Sequence, residues 1–481
     1  MLFKLTPVAA AVLVMFTGHA MAANSLSTQL QNGVGNTADV QQFTSSQASV
    51  QQVQIGDGND TAAFQQDTNS QIDQEQNGNQ NGAYGEQLVE TGSKITQRQT
   101  EQRNNTHASQ SLGSGNQITT QQSGTGNFVF AYQDSQLGST ITTTQAGNNN
   151  EVMAEQLFGG TGNTSQITQR GDANQGYSEQ VEHVGGQIQL NQDGEGHYAY
   201  TDQRLGLGGS ISVEQFGQFN TAQMFQDSQT DSHSTITQTG NFNEGVVDQV
   251  QGANNMGAII QWGDRNAASV AQYFVTNSST NVYQNGQDNL HFSSQAGSGH
   301  SMTAVATGDG NKVFASEFEG VKLGGQFGNG QTAFLNQNGQ QNTINLNQKG
   351  NGNLSNLKQD GARNDTTVTQ SDNFNELYFE QNGSDNILIA DQRGDNNFAT
   401  GNSFGTGNTT DLTQSGSENR SYTYQDGDAN IAVVKQADSY NVAYVSQTGS
   451  TNNANVNQSA TNQAASITQV GSANQASVHQ Q

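Results

Sequence analysis

The chain has 481 residues, of which 31% are hydrophobic and 12% charged, and its formal net charge is −26. So acidic a chain makes nucleic acid and anionic membranes poor partners. Glutamine, asparagine, glycine, serine and threonine fill most of the remainder, a composition that on its own describes a low-complexity tract rather than a globule.

Residues 1–22 read as a secretory signal peptide: Lys4 supplies the positive start, Val8 to Phe16 the apolar stretch and Ala20-Met21-Ala22 the small-residue cleavage site. That stretch is too short to span a bilayer, and no later segment is apolar enough to try. The mature chain is expected to start at Ala23 and to be exported. The only proline, Pro7, lies in the part removed, which suits uninterrupted strand ladders. There is no cysteine, so no disulfide staples the fold. The negative charge is expected to keep the chain dispersed during export, and association should speed up when acid or salt weakens the repulsion.

From Gln31 onward glutamine recurs at spacings that alternate mostly between eleven and twelve, through Gln145, Gln156, Gln215 and Gln226 to Gln295. From Gln337 and Gln348 to Gln436, Gln447 and Gln480 the spacing is a strict eleven, with Ser403 filling one slot. Glycine recurs two places after the glutamine and asparagine five places after it, as in Gly147 and Asn150, Gly217 and Asn220, Gly339 and Asn342, or Gly427 and Asn430. A fixed short period marks units that bury their apolar side only against their neighbours.

Positions −2, −4 and −6 from each glutamine share one face of an extended strand. Before Gln436 these are Val434, Ala432 and Asn430; before Gln447, Val445, Ala443 and Asn441; before Gln348, Leu346, Ile344 and Asn342. The alternate places carry charges and aromatics, as in Glu376, Tyr378 and Glu380. The alternation separates an inside from an outside. Gly-x-x-Asn between strands suits tight reversals. The expected fold is all-β: a β-solenoid of about twenty 22–23-residue strand-turn-strand-turn rungs, stacked parallel and in register, with two facing sheets. Gln above Gln and Asn above Asn would form amide ladders along the core.

The beat stumbles once, where Gln295, Ala306, Glu317 and Gln326 follow one another and Glu317 takes the glutamine place. Counted that way, Gln31 to Gln480 makes forty intervals. The expected organisation is a signal peptide at 1–22, an array at 23–316, an irregular joint at 317–326 and a second array at 327–481. Repeats run close to both ends without a capping segment, which is expected to leave open strand edges that recruit further strands.

The pattern Ser-x5-Gln-x-Gly-x-x-Asn-x-Ala-x3-Gln resembles the curlin repeat of curli fibres, the functional amyloid of bacterial biofilms. Ser139, Gln145, Gly147, Asn150 and Gln156 match it, with Val152 at the alanine place. Gln215, Gly217, Asn220, Ala222 and Gln226 match its core, with Gly209 in the serine place. The resemblance implies a subunit that crosses the outer membrane unfolded through a secretion pore and polymerises with itself at the cell surface, helped by a nucleating minor subunit. Surface or matrix polymers are further possible partners. About twenty double repeats exceed the five or so usual in that family, and no long Gly-rich leader follows Ala22. The nearly uncharged final repeat favours a bulk subunit over a nucleator.

Other chemistry finds little support. His107, His183, His197, His233, His291, His300 and His479 share no metal-like spacing, and no cofactor or metal is expected. Gly-Asp-Gly-Asn at 56–59 and 308–311 reads as turn chemistry, because the nonapeptide of calcium-binding solenoids is absent. Glu376 and Glu380 lie on a solvent face without a cleft to tune them, so catalysis is not expected. Trp262, Tyr422, Tyr424 and Tyr444 face outward, where they could meet sugars or surfaces. Thr140, Thr142 and Thr144 hint at an ice-binding array that neighbouring units do not continue. A monomeric solenoid adhesin is the main alternative to a fibre subunit.

Overall fold

The computed structural model describes residues 24–316 and 324–481. The expected signal peptide and residues 317–323 of the expected joint lie outside them. The contacts form two compact units, Met1–Asp231 and Ser232–Gln481. Each unit is a β-solenoid with two facing parallel sheets, and no helix occurs among the described residues.

The first unit holds nine strand pairs, from Leu26–Asn32 with Thr37–Phe43 to Ser210–Gln218 with Thr221–Thr230. Successive strands of one sheet come from successive rungs, and like residues meet: Ile72 pairs with Ile95, Ile95 with Ile118 and Ile118 with Ile141. β-Branched side chains stacked at the rung spacing of about 4.8 Å suit a pleated, fully enclosed face. These four isoleucines are completely buried. The facing sheet contributes smaller residues, among them Ala83, Val129, Val152 and Ala199. Gly85 makes room outright, because a Cβ there would stand 2.9 Å from Ile72 Cγ2.

The second unit holds eleven rungs. Its core runs from Met302 through Leu335, Ile344, Leu346, Val434 and Val445 to Ile467, again on alternate positions of each strand. Outward aromatics pack along the sheets, Tyr424 against Tyr444 at 5.9 Å and Trp262 edge-on to Tyr283 at 5.4 Å.

One rung of this unit departs from the rest. Lys312–Ala315 and Gly325–Asn329 together occupy the place of a single strand, both pairing with Leu290–Ser298 on one side and Thr343–Asn351 on the other. The glutamine place assigned above to Glu317 is filled by Gln326, which pairs with Gln295 and Gln348. The irregularity is an insertion inside one strand, not a shifted beat, so the series has one interval fewer than the spacing implied. Pairing tolerates this because both fragments keep their own register.

Candidate functional site

Within each unit the inward glutamines stack in a column in each sheet, interrupted by Ala306 and Ser403, and most engage both the donors and the acceptor of the amide. Gln145 accepts from Gln122 at 2.8 Å and donates to Gln169 at 2.8 Å. Its second N–H crosses the core to the Phe128 carbonyl at 3.0 Å. Gln156 accepts from Gln133, donates to Gln180 and reaches back to the Thr140 carbonyl. One bond thus ties a rung to the next and another ties the two sheets together. A buried amide with two donors and an acceptor engaged carries no desolvation penalty of the kind an orphan would.

The same chemistry recurs at the other positions. Gln215 accepts from Gln192, and Gln226 accepts from Gln203. Gln348 links Gln326 to Gln370, Gln436 links Gln414 to Gln458, and Gln447 links Gln425 to Gln469. Gln31 donates to Gln54, and Gln480 accepts from Gln458 and donates to the Ala464 carbonyl.

Gln337 is the exception. It donates to Gln359 at 2.9 Å, but its Oε1 has no partner, because Ala306 stands in register on the preceding rung. Beside this break lies a gap too narrow to hold a water molecule, lined in part by Gln284, His291 and Ala306. His291 is buried with neither ring nitrogen bonded, and burial pushes its pKa down to about 3.

The asparagines form a third column at the turn. Asn150 donates to Asn127 Oδ1 at 3.1 Å and to the Gly171 carbonyl at 2.7 Å, while its own Oδ1 accepts from Asn174. Asn342 and Asn430 repeat this with Asn311 and Gly361, and with Asn408 and Gly449. Asn220 differs: its backbone N–H donates to His197 Nδ1, since histidine holds the asparagine place one rung earlier. Asn441 belongs to the other turn, where Asn419 Oδ1 accepts from its backbone N–H.

The turn glycines answer a closer constraint than turn shape. Gly147 has φ +121°, and a Cβ there would lie 2.0 Å from the Gly171 carbonyl oxygen that Asn150 binds. Gly339 and Gly427 stand in the same relation to Gly361 and Gly449, and Gly217 shares the positive φ. At this φ a side chain would press on the carbonyl of the next rung; where Glu101 takes the glycine place its backbone turns to φ +72° and the asparagine column runs past it.

A further inward position was not read from the spacing. In the first unit, from Gly82–Leu88 onward, the turn after each second-sheet strand is one or two residues longer, and the extra place alternates between a long polar side chain and glycine. Glu90, Gln136 and His183 are buried there, with Gly113, Gly160 and Gly206 between them. A Cβ at Gly160 would come within 2.5 Å of Gln136 Oε1, and one at Gly206 within 2.5 Å of His183 Nε2. Glu90 Oε2 accepts from Ser93 at 2.6 Å, while Glu90 Oε1 and His183 Nδ1 have no partner. Burial raises the Glu90 carboxyl above its ordinary range and pushes the His183 imidazole down to about 4. The signal available in the sequence was the twelve-residue spacing itself, since one added residue per rung must go somewhere.

The end rungs are the least covered. Every residue of Leu26–Asn32 is exposed, and the inward Ala476, Val478 and Gln480 of Gln475–Gln480 are half-exposed. Among the described residues these strands pair on one side each, with Ser49–Ile55 and Asn453–Gln458.

Residues 405–437, which cover one full rung with its glutamine, glycine and asparagine places, match the family model described as the curlin associated repeat. This stretch is a curlin repeat. Among curated proteins none matches the chain. The columns that pass through the curlin repeat, Gln414 and Gln436 in one sheet and Asn408 and Asn430 at the turn, continue on both sides of it. No helix among the described residues is long and apolar enough to cross a membrane.

Proposed function

We propose that this protein is the structural subunit of an extracellular, curli-like amyloid fibre that grows by edge-to-edge strand addition and serves in biofilm matrix and adhesion. Its action is mechanical and adhesive, not catalytic. The observation that carries the reading is the stacking of Gln and Asn columns through successive parallel rungs, the curlin repeat at 405–437 among them. An exposed parallel edge with unfilled amide columns is a template for another strand of the same kind. In this reading residues 1–22 direct export, and the unfolded chain passes an outer-membrane secretion pore. A minor subunit nucleates assembly, and matrix or surface polymers are contacted along the fibre. The alternative is a secreted solenoid adhesin that folds and does not polymerise.

The deciding experiment follows thioflavin fluorescence of the mature chain released from denaturant, with fibre diffraction on the product. A lag, seeding and a reflection near 4.7–4.8 Å along the fibre are expected. Replacing Gln31 and Gln480 should lengthen the lag more than replacing central Gln249. A folded β-rich monomer that never seeds would establish the adhesin instead, and equal lags would remove the role of the end rungs.

A further inference from the structure

The long turns of the first unit do more than accommodate an extra residue. On six consecutive rungs they place an apolar side chain on the outside: Val89, Leu112, Leu137, Phe158, Val184 and Leu205, the last beside Leu207. Two positions supply them. Where the first carries Ser135 or Glu182, the second supplies Leu137 or Val184, so no rung lacks an apolar group. The second position is a continuous ladder of bridges from Thr91 through Ser114, Leu137, Thr161 and Val184 to Leu207. The seven apolar residues are 40% to 62% exposed.

Folding does not ask for these residues. Val89, Leu112, Phe158 and Leu205 all hold a left-handed backbone, with φ between 50° and 60°. That conformation costs a bulky residue about 1–2 kcal/mol and suits asparagine or glycine. Strain kept at an exposed apolar position is better explained by a contact outside the chain than by one within it.

We infer that this ridge is a lateral docking surface for a second copy of the chain, packed ridge to ridge about a two-fold axis. Three observations select that occupant. Apolar groups repeating at the rung spacing of about 4.8 Å match a surface of equal period, which another copy presents. The ridge exposes on the order of 600 Å² per copy, so a pair would bury about 1,200 Å², the lower bound of a specific interface. Between Val89 and Gly208, Glu182 is the one exposed charge on these turns. Two chains of net charge −26 can therefore meet here without opposing carboxylates. The contact lies on the flank, not at an end rung, and so applies equally to a fibre subunit and to an adhesin.

The natural lack of cysteine makes the test direct. Thr161→Cys, exposed at the middle of the ridge, should form a disulfide-linked dimer of the full folded chain under mild oxidation, faster as salt is raised. Gln218→Cys, exposed at the opposite edge, should remain at least tenfold slower. Addition at an end rung does not bring two Thr161 positions together, so fibre growth or its failure leaves this readout untouched. A ridge variant carries Val89→Asn, Leu112→Asn, Phe158→Asn and Leu205→Asn with Leu137→Thr, Val184→Thr and Leu207→Thr. It should keep its circular dichroism, gain thermal stability from the relieved turns and lose Thr161→Cys cross-linking at least tenfold. Equal rates for the two single cysteines, or undiminished cross-linking in the folded ridge variant, would overturn the proposal. Ridge-dependent retention on alkyl beads or neutral phosphatidylcholine vesicles without cross-linking would also overturn it, assigning the ridge to an apolar surface.

Discussion

The two units use one rung differently. In the first, from Gln76 onward, successive glutamines of a column lie 23 or 24 residues apart, as from Gln122 to Gln145 to Gln169. Late in the second they lie 22 apart, as from Gln425 to Gln447 to Gln469. The shorter rung closes its second turn on another asparagine column, Asn353, Asn375, Asn397 and Asn419, in which each amide donates to the one before. The longer rung opens an inward place that this column does not fill. Side chains as large as His183 cannot repeat there at a spacing of about 4.8 Å, so long residues and glycines alternate and the turn repeats every two rungs. One added residue thus turns a self-satisfying turn into one holding orphaned polar atoms on Glu90 and His183.

The largest test of this comparison sets a stacking glycine against a glycine of the wide turn. Gly147→Ala drives a methyl group into a carbonyl 2.0 Å away and should cost about 3 kcal/mol or more, or prevent the first unit from folding. Gly138→Ala, also at positive φ but with nothing within 4 Å, should cost only about 1 kcal/mol. Urea unfolding of the soluble chain ranks the two. Similar costs would show that turn shape, not rung spacing, governs the stacking glycine.

The acid response of the wide turn comes next. His183 is held neutral in the folded chain, its pKa lowered from 6.5 to about 4 by burial. The unfolded chain therefore takes up a proton first as pH falls. The stability this group contributes is whole above pH 6.5 and is lost progressively down to about pH 4, amounting to about 2 kcal/mol at pH 5. Asp202 works in the opposite sense, since burial raises its carboxyl from 3.8 to about 6 and folding then gains on acidification. His183→Gln, which copies Gln136, keeps Asp202 and should flatten the difference between pH 7.5 and pH 5 by about 2 kcal/mol. Parallel profiles for the two chains would mean that His183 is hydrated.

The smallest effect is expected within the second unit. Ala306→Gln restores the missing member between Gln284 and Gln337 and should add about 1 kcal/mol, with slower amide exchange on the neighbouring strands. A loss of stability would show that the packing around Ala306 leaves no room for the amide.

Much of this was legible because the chain repeats. Val434 and Ala432 before Gln436, or Leu346 and Ile344 before Gln348, declare an inward face by alternation alone, and all are buried. The repeat also marked which amides would stand above one another. Three features escaped. The cross-core bond that most of the glutamines make to the facing sheet depends on how far apart the sheets pack, which no spacing records. The wide-turn column was hidden because Glu90, Gln136 and His183 share size and polarity but no residue type. Glu317 was given a glutamine's place because a count along the chain cannot distinguish a shifted beat from an insertion within one strand.

The break at Ala306 gives the second unit a mechanical grain. Along a stack of rungs, bonds within one interface bear tension in parallel, while successive interfaces bear it in series. The unit is then only as strong as its poorest interface. Where Ala306 faces Gln337 a glutamine link is missing, and the companion strand of the same rung is split into Lys312–Ala315 and Gly325–Asn329. A pull along the stack is expected to open there first, leaving the rungs from Thr332 onward together as a single piece.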